Sequence, residues 1–276
     1  VIARVQRLVR FEWRKLFARR FTWIALLAVA LAAAISPATG QVLAKAEQLT
    51  RGSPADVEGM SGWAALASGL RFGTYVATFV ILILAGSAVS EEVQQGTLKT
   101  LLLRPVRRTD VLLSKMVALS IFSVLLVLVM GAASGLAACR YDFGSLVSQG
   151  GKDAATLTRY TAGAFGLALA PLFSLVAFGL LFSCAIDHPG QGTGAAIGGY
   201  FVLSAVAGLT VAAKKWFFVY YVALPFEDLF DMGGGVSAAA KEFREHAPLA
   251  VEVPLASALV LLLGAALLLR MRDIGD

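Results

Sequence analysis

Long stretches without a single charged residue recur along this chain, at Phe21 to Ala44, Phe72 to Ser90, Met116 to Cys139, Tyr160 to Ile186, Gly190 to Ala213 and Pro254 to Leu269. A bilayer core about 30 Å thick asks for roughly 20 apolar residues per helical crossing. Backbone polar groups placed in lipid must also satisfy one another, which a helix does within its own segment. The reading is an all-α integral membrane protein with six transmembrane helices, drawn at 21–44, 72–90, 116–139, 160–186, 190–213 and 249–269. Composition agrees: of 276 residues 58% are hydrophobic and 15% charged, where a soluble domain carries about a quarter charged. The whole chain, 1–276, reads as one membrane domain.

Ahead of the first span, residues 1–20 form an amphipathic interface helix. Val5, Leu8, Val9, Trp13, Leu16 and Phe17 recur at helical spacing, with Arg4, Arg7, Arg10 and Arg14 on the other side. Such a helix can anchor topology, since each Lys or Arg near an anionic leaflet contributes about 1 kcal/mol, or it can dock a cytoplasmic partner. Both roles remain open for Arg7, Arg10, Trp13 and Arg14. A basic segment followed by an apolar run also resembles a signal peptide, but its length and the five later spans favour a retained helix.

The positive-inside rule orients the bundle. Basic residues concentrate in the first 20 residues, in the 91–115 segment and in the tail, whereas the opposite loops are longer and hold most of the acids. Both termini are therefore expected in the cytoplasm, with the chain in the inner membrane. Between the fifth and sixth spans, 214–235 is expected to re-enter or lie on the outer leaflet. Trp216, Phe217, Phe218, Tyr220 and Tyr221 suit the headgroup region, and Pro225 interrupts a run too short to span. Phe217, Tyr220, Pro225, Glu227 and Asp228 would border an outer mouth, the acids forming a solvated rim.

Several chemistries are excluded by the residues. No P-loop is present, and Gly150-Gly151-Lys152-Asp153 lacks its spacing and its magnesium-binding hydroxyl. The spans hold essentially no ionisable side chain of the kind that binds a coupling ion, which disfavours a gradient-coupled carrier. Glu91 and Glu92 are similar to the paired acids of intramembrane prenyl-endopeptidases, but Gly96 stands where those have arginine, and no membrane histidine supplies a base. Cys139 and Cys184 are assigned to opposite faces, as are His188 and His246, so neither pair forms a bridge or a metal motif. A lone histidine such as His246 is read as solvated. The pairs Gly131/Gly135 and Gly194/Gly198 permit close helix approach.

What remains is the inner segment 91–115. Glu91 and Glu92 sit where the second helix leaves the bilayer, and acids beside a helix C-terminus cost about 0.3–1 kcal/mol, so cationic partners are expected. Beyond Gly96, Thr97 can cap a short helix with Leu98, Leu101 and Leu102 on one face, and Pro105 ends it. Arg104, Arg107 and Arg108 crowd the same knuckle. This segment resembles that of the type-2 ABC transporter permeases, which reads close to E-x-x-x-G-T-L-x-x-L-L-x-x-P-x-x-R-x-x-x-L-x-x-K. The matching residues are Glu92, Gly96, Thr97, Leu98, Leu101, Leu102, Pro105, Arg108, Leu112 and Lys115.

The resemblance implies a non-catalytic permease subunit of an ABC exporter, pairing with a second copy or a paralogue, with ATP and magnesium held by separate ATPase subunits and no cofactor on this chain. Residues 91–115, with Glu91 and Arg104 among them, would be the coupling region. Asp187, His188 and Gln191 would make a second, smaller inner contact, and the interface helix would lie against ATPase and membrane. Partners would be those subunits and the lipid bilayer, with no nucleic acid. The rival is a membrane subunit using the same contact for mechanical signalling or envelope remodelling. Apolar span walls suit a hydrophobic or amphipathic cargo.

Overall fold

The computed structural model describes residues 2–51, 61–96, 108–143, 154–210, 213–233 and 239–271. Its helices are α1 (Ile2–Ala18), α2 (Arg20–Arg51), α3 (Gly62–Ser87), α4 (Ser90–Gln94), α5 (Arg108–Ala138), α6 (Ala154–Ala185), α7 (Pro189–Leu209), α8 (Leu224–Gly233) and α9 (Ala239–Met271). Two 3₁₀ turns, Lys214–Trp216 and Phe218–Tyr221, precede α8. No strand occurs among the described residues. Six segments, in α2, α3 with α4, α5, α6, α7 and α9, are long and apolar enough to cross a membrane. The expected number of spans is present.

The helices extend beyond the uncharged stretches that announced them. The second starts at Gly62 rather than 72, the third at Arg108 rather than 116 and the last at Ala239 rather than 249. Charge limits burial in lipid but not backbone hydrogen bonding, so each helix runs on through the interface until a cap ends it. Ser61 caps α3, its hydroxyl accepting the Ala64 N–H at 3.1 Å. Arg71, now inside α3, lays its guanidinium 5.0 Å over the Phe230 ring.

α3 and α6 form the middle of the bundle, with α2, α5, α7, α8 and α9 packed around them. Phe122, Met130, Leu82, Leu126, Leu172 and Leu180 are fully buried there. α7 and α9 expose rows of large apolar side chains, among them Phe201, Val202, Leu209, Leu259, Val260 and Leu263; in a bilayer such a surface has lipid or another helix as its solvent. α6 and α9 both contain interior prolines, Pro171 in one and Pro248 and Pro254 in the other. The Ser174 hydroxyl donates to the Pro254 carbonyl at 2.5 Å, a polar stitch across the most extensive helix pair.

Near the α1 end, α3, α6 and α7 cross with little between their backbones. A Cβ on Gly192 would sit 2.6 Å from the Gly86 carbonyl oxygen, and one on Gly179 would sit 2.5 Å from Ala85 Cβ. These glycines, not the ones singled out by spacing, make the close approach. Gly135, Gly194 and Gly198 face open space, and Gly131 faces the Phe165 ring.

The segment between α7 and α9 departs from expectation. Pro225 interrupts nothing: it sits in the first turn of α8, where its missing N–H costs no helical bond. The aromatic run divides between solvent and core, because a 3₁₀ turn points successive side chains in different directions. Trp216 is exposed, but Phe218 and Tyr221 are buried, the Tyr221 hydroxyl donating to the Lys215 carbonyl at 2.9 Å. Asp228 is buried too, so it is no part of a solvated rim. His246, read as solvated, lies 3.1 Å from its carboxylate.

Candidate functional site: an ionic joint at the α1 end

α3 loosens at Ala88 and Val89, whose backbones stay in the right-handed helical region, and the chain continues as the one-turn α4. The loosened turn is held by Ser183 of α6, whose hydroxyl oxygen accepts the N–H groups of Val89 at 2.8 Å and Ser90 at 3.1 Å. Glu91 and Glu92 fall in α4, the last turns of a helical path that runs from Gly62 to Gln94, as expected for acids near the end of the second span. α4 ends on Gly96, whose φ of +67° is the left-handed conformation that glycine adopts without a Cβ clash.

Both acids do have cationic partners, and these come from remote parts of the chain. Glu92 Oε1 accepts from Lys115 Nζ of α5 at 2.6 Å and from Lys15 Nζ of α1 at 2.7 Å. Lys115 Nζ reaches in addition to Glu12 Oε1 of α1 at 2.9 Å. Arg19, at the bend between α1 and α2, forks onto Glu91, with Nη1 3.2 Å from Oε1 and Nη2 on Oε2. Lys115 and Glu92 are each 2% exposed. One ammonium thus joins α1, α4 and α5.

Around the joint, α1 is fixed by its apolar face. Leu16 is buried, Trp13 and Phe17 pack on the core, and Phe17 meets Phe122 of α5 edge-on at 6.4 Å. The bend into α2 is tied by Thr22, whose hydroxyl donates to the Leu16 carbonyl at 2.5 Å, and by Trp23 Nε1 donating to the Phe17 carbonyl at 3.1 Å. With that face turned inward, Arg7, Arg10 and Arg14 remain exposed on the side away from α5.

The other expected positions sort clearly. Arg108 does not point away from the bundle; its Nη1 donates to the Leu269 carbonyl at 3.0 Å and the Arg270 carbonyl at 3.2 Å, a cation on the last turn of α9. Lys115, just outside the third span as drawn from 116, is buried inside the bundle in the first part of α5. Asp187, His188 and Gln191 are exposed at the turn between α6 and α7, a few residues from the Ser183 that holds the loosened turn. Thr97, Leu98, Leu101, Leu102, Arg104 and Pro105, and with them the expected coupling helix, lie outside the described residues. At the opposite end, Phe217 and Tyr220 are half-buried, and Glu227 accepts from the Tyr75 hydroxyl at 2.9 Å. Glu12, Lys15 and Arg19 were missed by sequence reasoning. The signal for Glu12 was present, as the single acid in a basic helix.

Chemically the joint is a positioning device. Its groups neutralise one another, and no cluster of three or more metal-ligating side chains occurs among the described residues.

The family model described as ABC-2 family transporter protein matches residues 8–186, from within α1 to the end of α6. The chain belongs to the ABC-2 transporter family. The matched region contains every residue of the joint. This ABC-2 protein is also 34% identical over 83 residues to the uncharacterized protein YhcI of Bacillus subtilis (strain 168), covering 30% of this chain and 26% of that one. ABC-2 proteins are in general non-catalytic, multi-pass membrane subunits that work with ATPase partners.

Proposed function

We propose that the chain is the permease subunit of an ATP-driven exporter. Two copies, or one copy and a paralogue, form the translocation pathway. Separate ATPase subunits, which carry the ATP and magnesium, dock at the α1 end, on the cytoplasmic face of the inner membrane, where both termini lie. The segment after Gly96 is the coupling helix. Asp187, His188 and Gln191 form the second contact, and the exposed arginines of α1 flank both. The segment 214–235 lies at the outer surface and borders the outer mouth.

The observation that carries this reading is the joint at Lys115. A lever works only if the surface that is pushed is tied to the spans that must move. Glu91 and Glu92 stand immediately before the proposed coupling helix, and their partners lie on α1, on α5 and at the bend between α1 and α2. A displacement of that helix would be handed to these elements together, most firmly to α5, because parting Glu92 from Lys115 would leave buried charges unpaired at a cost of about 3–5 kcal/mol.

The test is co-expression with a candidate ABC ATPase subunit. Single cysteines at exposed Gln95 and Gln191 should crosslink to that subunit. A cysteine at Trp216, at the opposite end, should not. Crosslinking at Trp216, or at neither inner position, would overturn the docking assignment.

A further inference from the structure

At the end of the bundle away from α1, α8 packs on α3, α6 and α9, with the buried Phe226 edge-on to Phe165 of α6 and polar contacts to the other two. On one side it is fastened to α3: Glu227 accepts from the Tyr75 hydroxyl at 2.9 Å, and the Phe230 ring lies 5.0 Å under the Arg71 guanidinium. On the other side it meets α9 through Asp228, whose Oδ2 lies 3.1 Å from His246 Nδ1. The Asp228 side chain is 8% exposed and that of His246 25%. The edge of Tyr220 covers the imidazole, ring centres 6.5 Å apart. The other charges acting on Asp228 are both acidic, Asp231 on α8 itself and Glu242 on α9.

We propose that Asp228 and His246 form a proton-dependent latch that keeps α8 closed against α9 and releases it when the shared proton is lost. With the proton, the pair is either a carboxylate against an imidazolium or a carboxylic acid against an imidazole, and carries no net charge. Without it, a carboxylate remains in a poorly hydrated position beside a neutral ring, facing Glu242 and Asp231. Burial raises the Asp228 carboxyl above the usual carboxylate range, His246 works against that rise, and Glu242 and Asp231 add to it. The sign follows from the raised value: the closed state binds the proton more tightly than the open one, so its advantage is full at low pH and is lost as pH rises. Release is one-sided, because the Tyr75 and Arg71 contacts keep α8 on α3, and the seam that opens lies between α8 and α9.

The test is hydrogen exchange of the purified full chain in lipid nanodiscs, corrected for the intrinsic pH dependence of exchange. The measurement needs no ATPase, so its outcome is separate from that of the proposed function. Protection of the α8 amides, Leu224–Gly233, should fall as pH is raised from 4 to 8, upward from the ordinary carboxylate value, by up to about tenfold per pH unit for one linked proton, with α3 unchanged. Asp228→Asn, which preserves a hydrogen bond to the imidazole but cannot ionise, should flatten the profile. His246→Gln should flatten it too, so one well-folded variant of the two suffices. A flat profile in the parent protein, or the parent slope persisting in either variant, overturns the proposal.

Discussion

Replacing Glu92 by glutamine preserves the shape of the ionic joint and removes one charge from it. Lys115, 2% exposed, would keep Glu12 at 2.9 Å as its acidic partner and face a neutral amide oxygen in place of the carboxylate now at 2.6 Å. Removing one member of a buried pair costs about 3–5 kcal/mol, and the surviving partner places this case near the lower end, about 3 kcal/mol. At roughly 2–4 °C per kcal/mol for a chain of this size, the apparent unfolding midpoint should fall by about 6–12 °C. The complementary change, Glu12→Leu with Glu92→Leu and Lys115→Met, removes the buried charges together and leaves Lys15, whose side chain is 27% exposed, to turn to water. Such replacements are neutral or stabilising by about 1–4 kcal/mol, so the triple variant should melt at or above the parent. Cys184 is buried in α6 and Cys139 is exposed. In a Cys139→Ser background, reaction of Cys184 with a thiol-sensitive fluorophore during heating therefore reports the loss of the bundle. A midpoint for Glu92→Gln within about 1 °C of the parent, or a triple variant that falls as far as the single one, would refute the account of Lys115 as a charge held by its carboxylates.

Gly192→Leu should lower the same midpoint, because its Cβ meets the Gly86 carbonyl oxygen at 2.6 Å and overpacking costs about 1–3 kcal/mol; Gly194→Leu, where a Cβ meets nothing within 4 Å, should leave it unchanged. Ser174→Ala removes the hydroxyl that bridges α6 to the Pro254 carbonyl and should cost about 0.5–1.5 kcal/mol, read as a smaller drop in midpoint. For topology, an impermeant thiol reagent should reach a cysteine at Arg107 from the cytoplasmic side and one at Lys152 from outside; the reverse pattern would invert the orientation.

The long uncharged stretches determined the class and the number of spans, because a backbone in lipid has few ways to satisfy its own hydrogen bonds and length alone separates a crossing from a loop. The acids at 91 and 92 also announced that they required cations, since they stand where the second helix ends and its dipole works against them. Which cations these are was beyond the sequence. Lys15 and Arg19 lie more than 70 residues away from their partners, and nothing local distinguishes them from the other basic residues of the first helix. Helix ends were misjudged for a related reason: charge density marks where lipid stops, whereas the α3 boundary is set by Ser61, and the loosened turn after it is held by a Ser183 hydroxyl from another helix. Glycine spacing pointed to Gly194 and Gly198, yet close approach depends on which face meets a neighbour, and that neighbour chose Gly192. Asp228 and His246 looked like solvated loop residues because their burial comes from α8 folding back on α3 and α9. Local chemistry thus fixed what each segment needed, and only the packing of remote helices decided what supplied it.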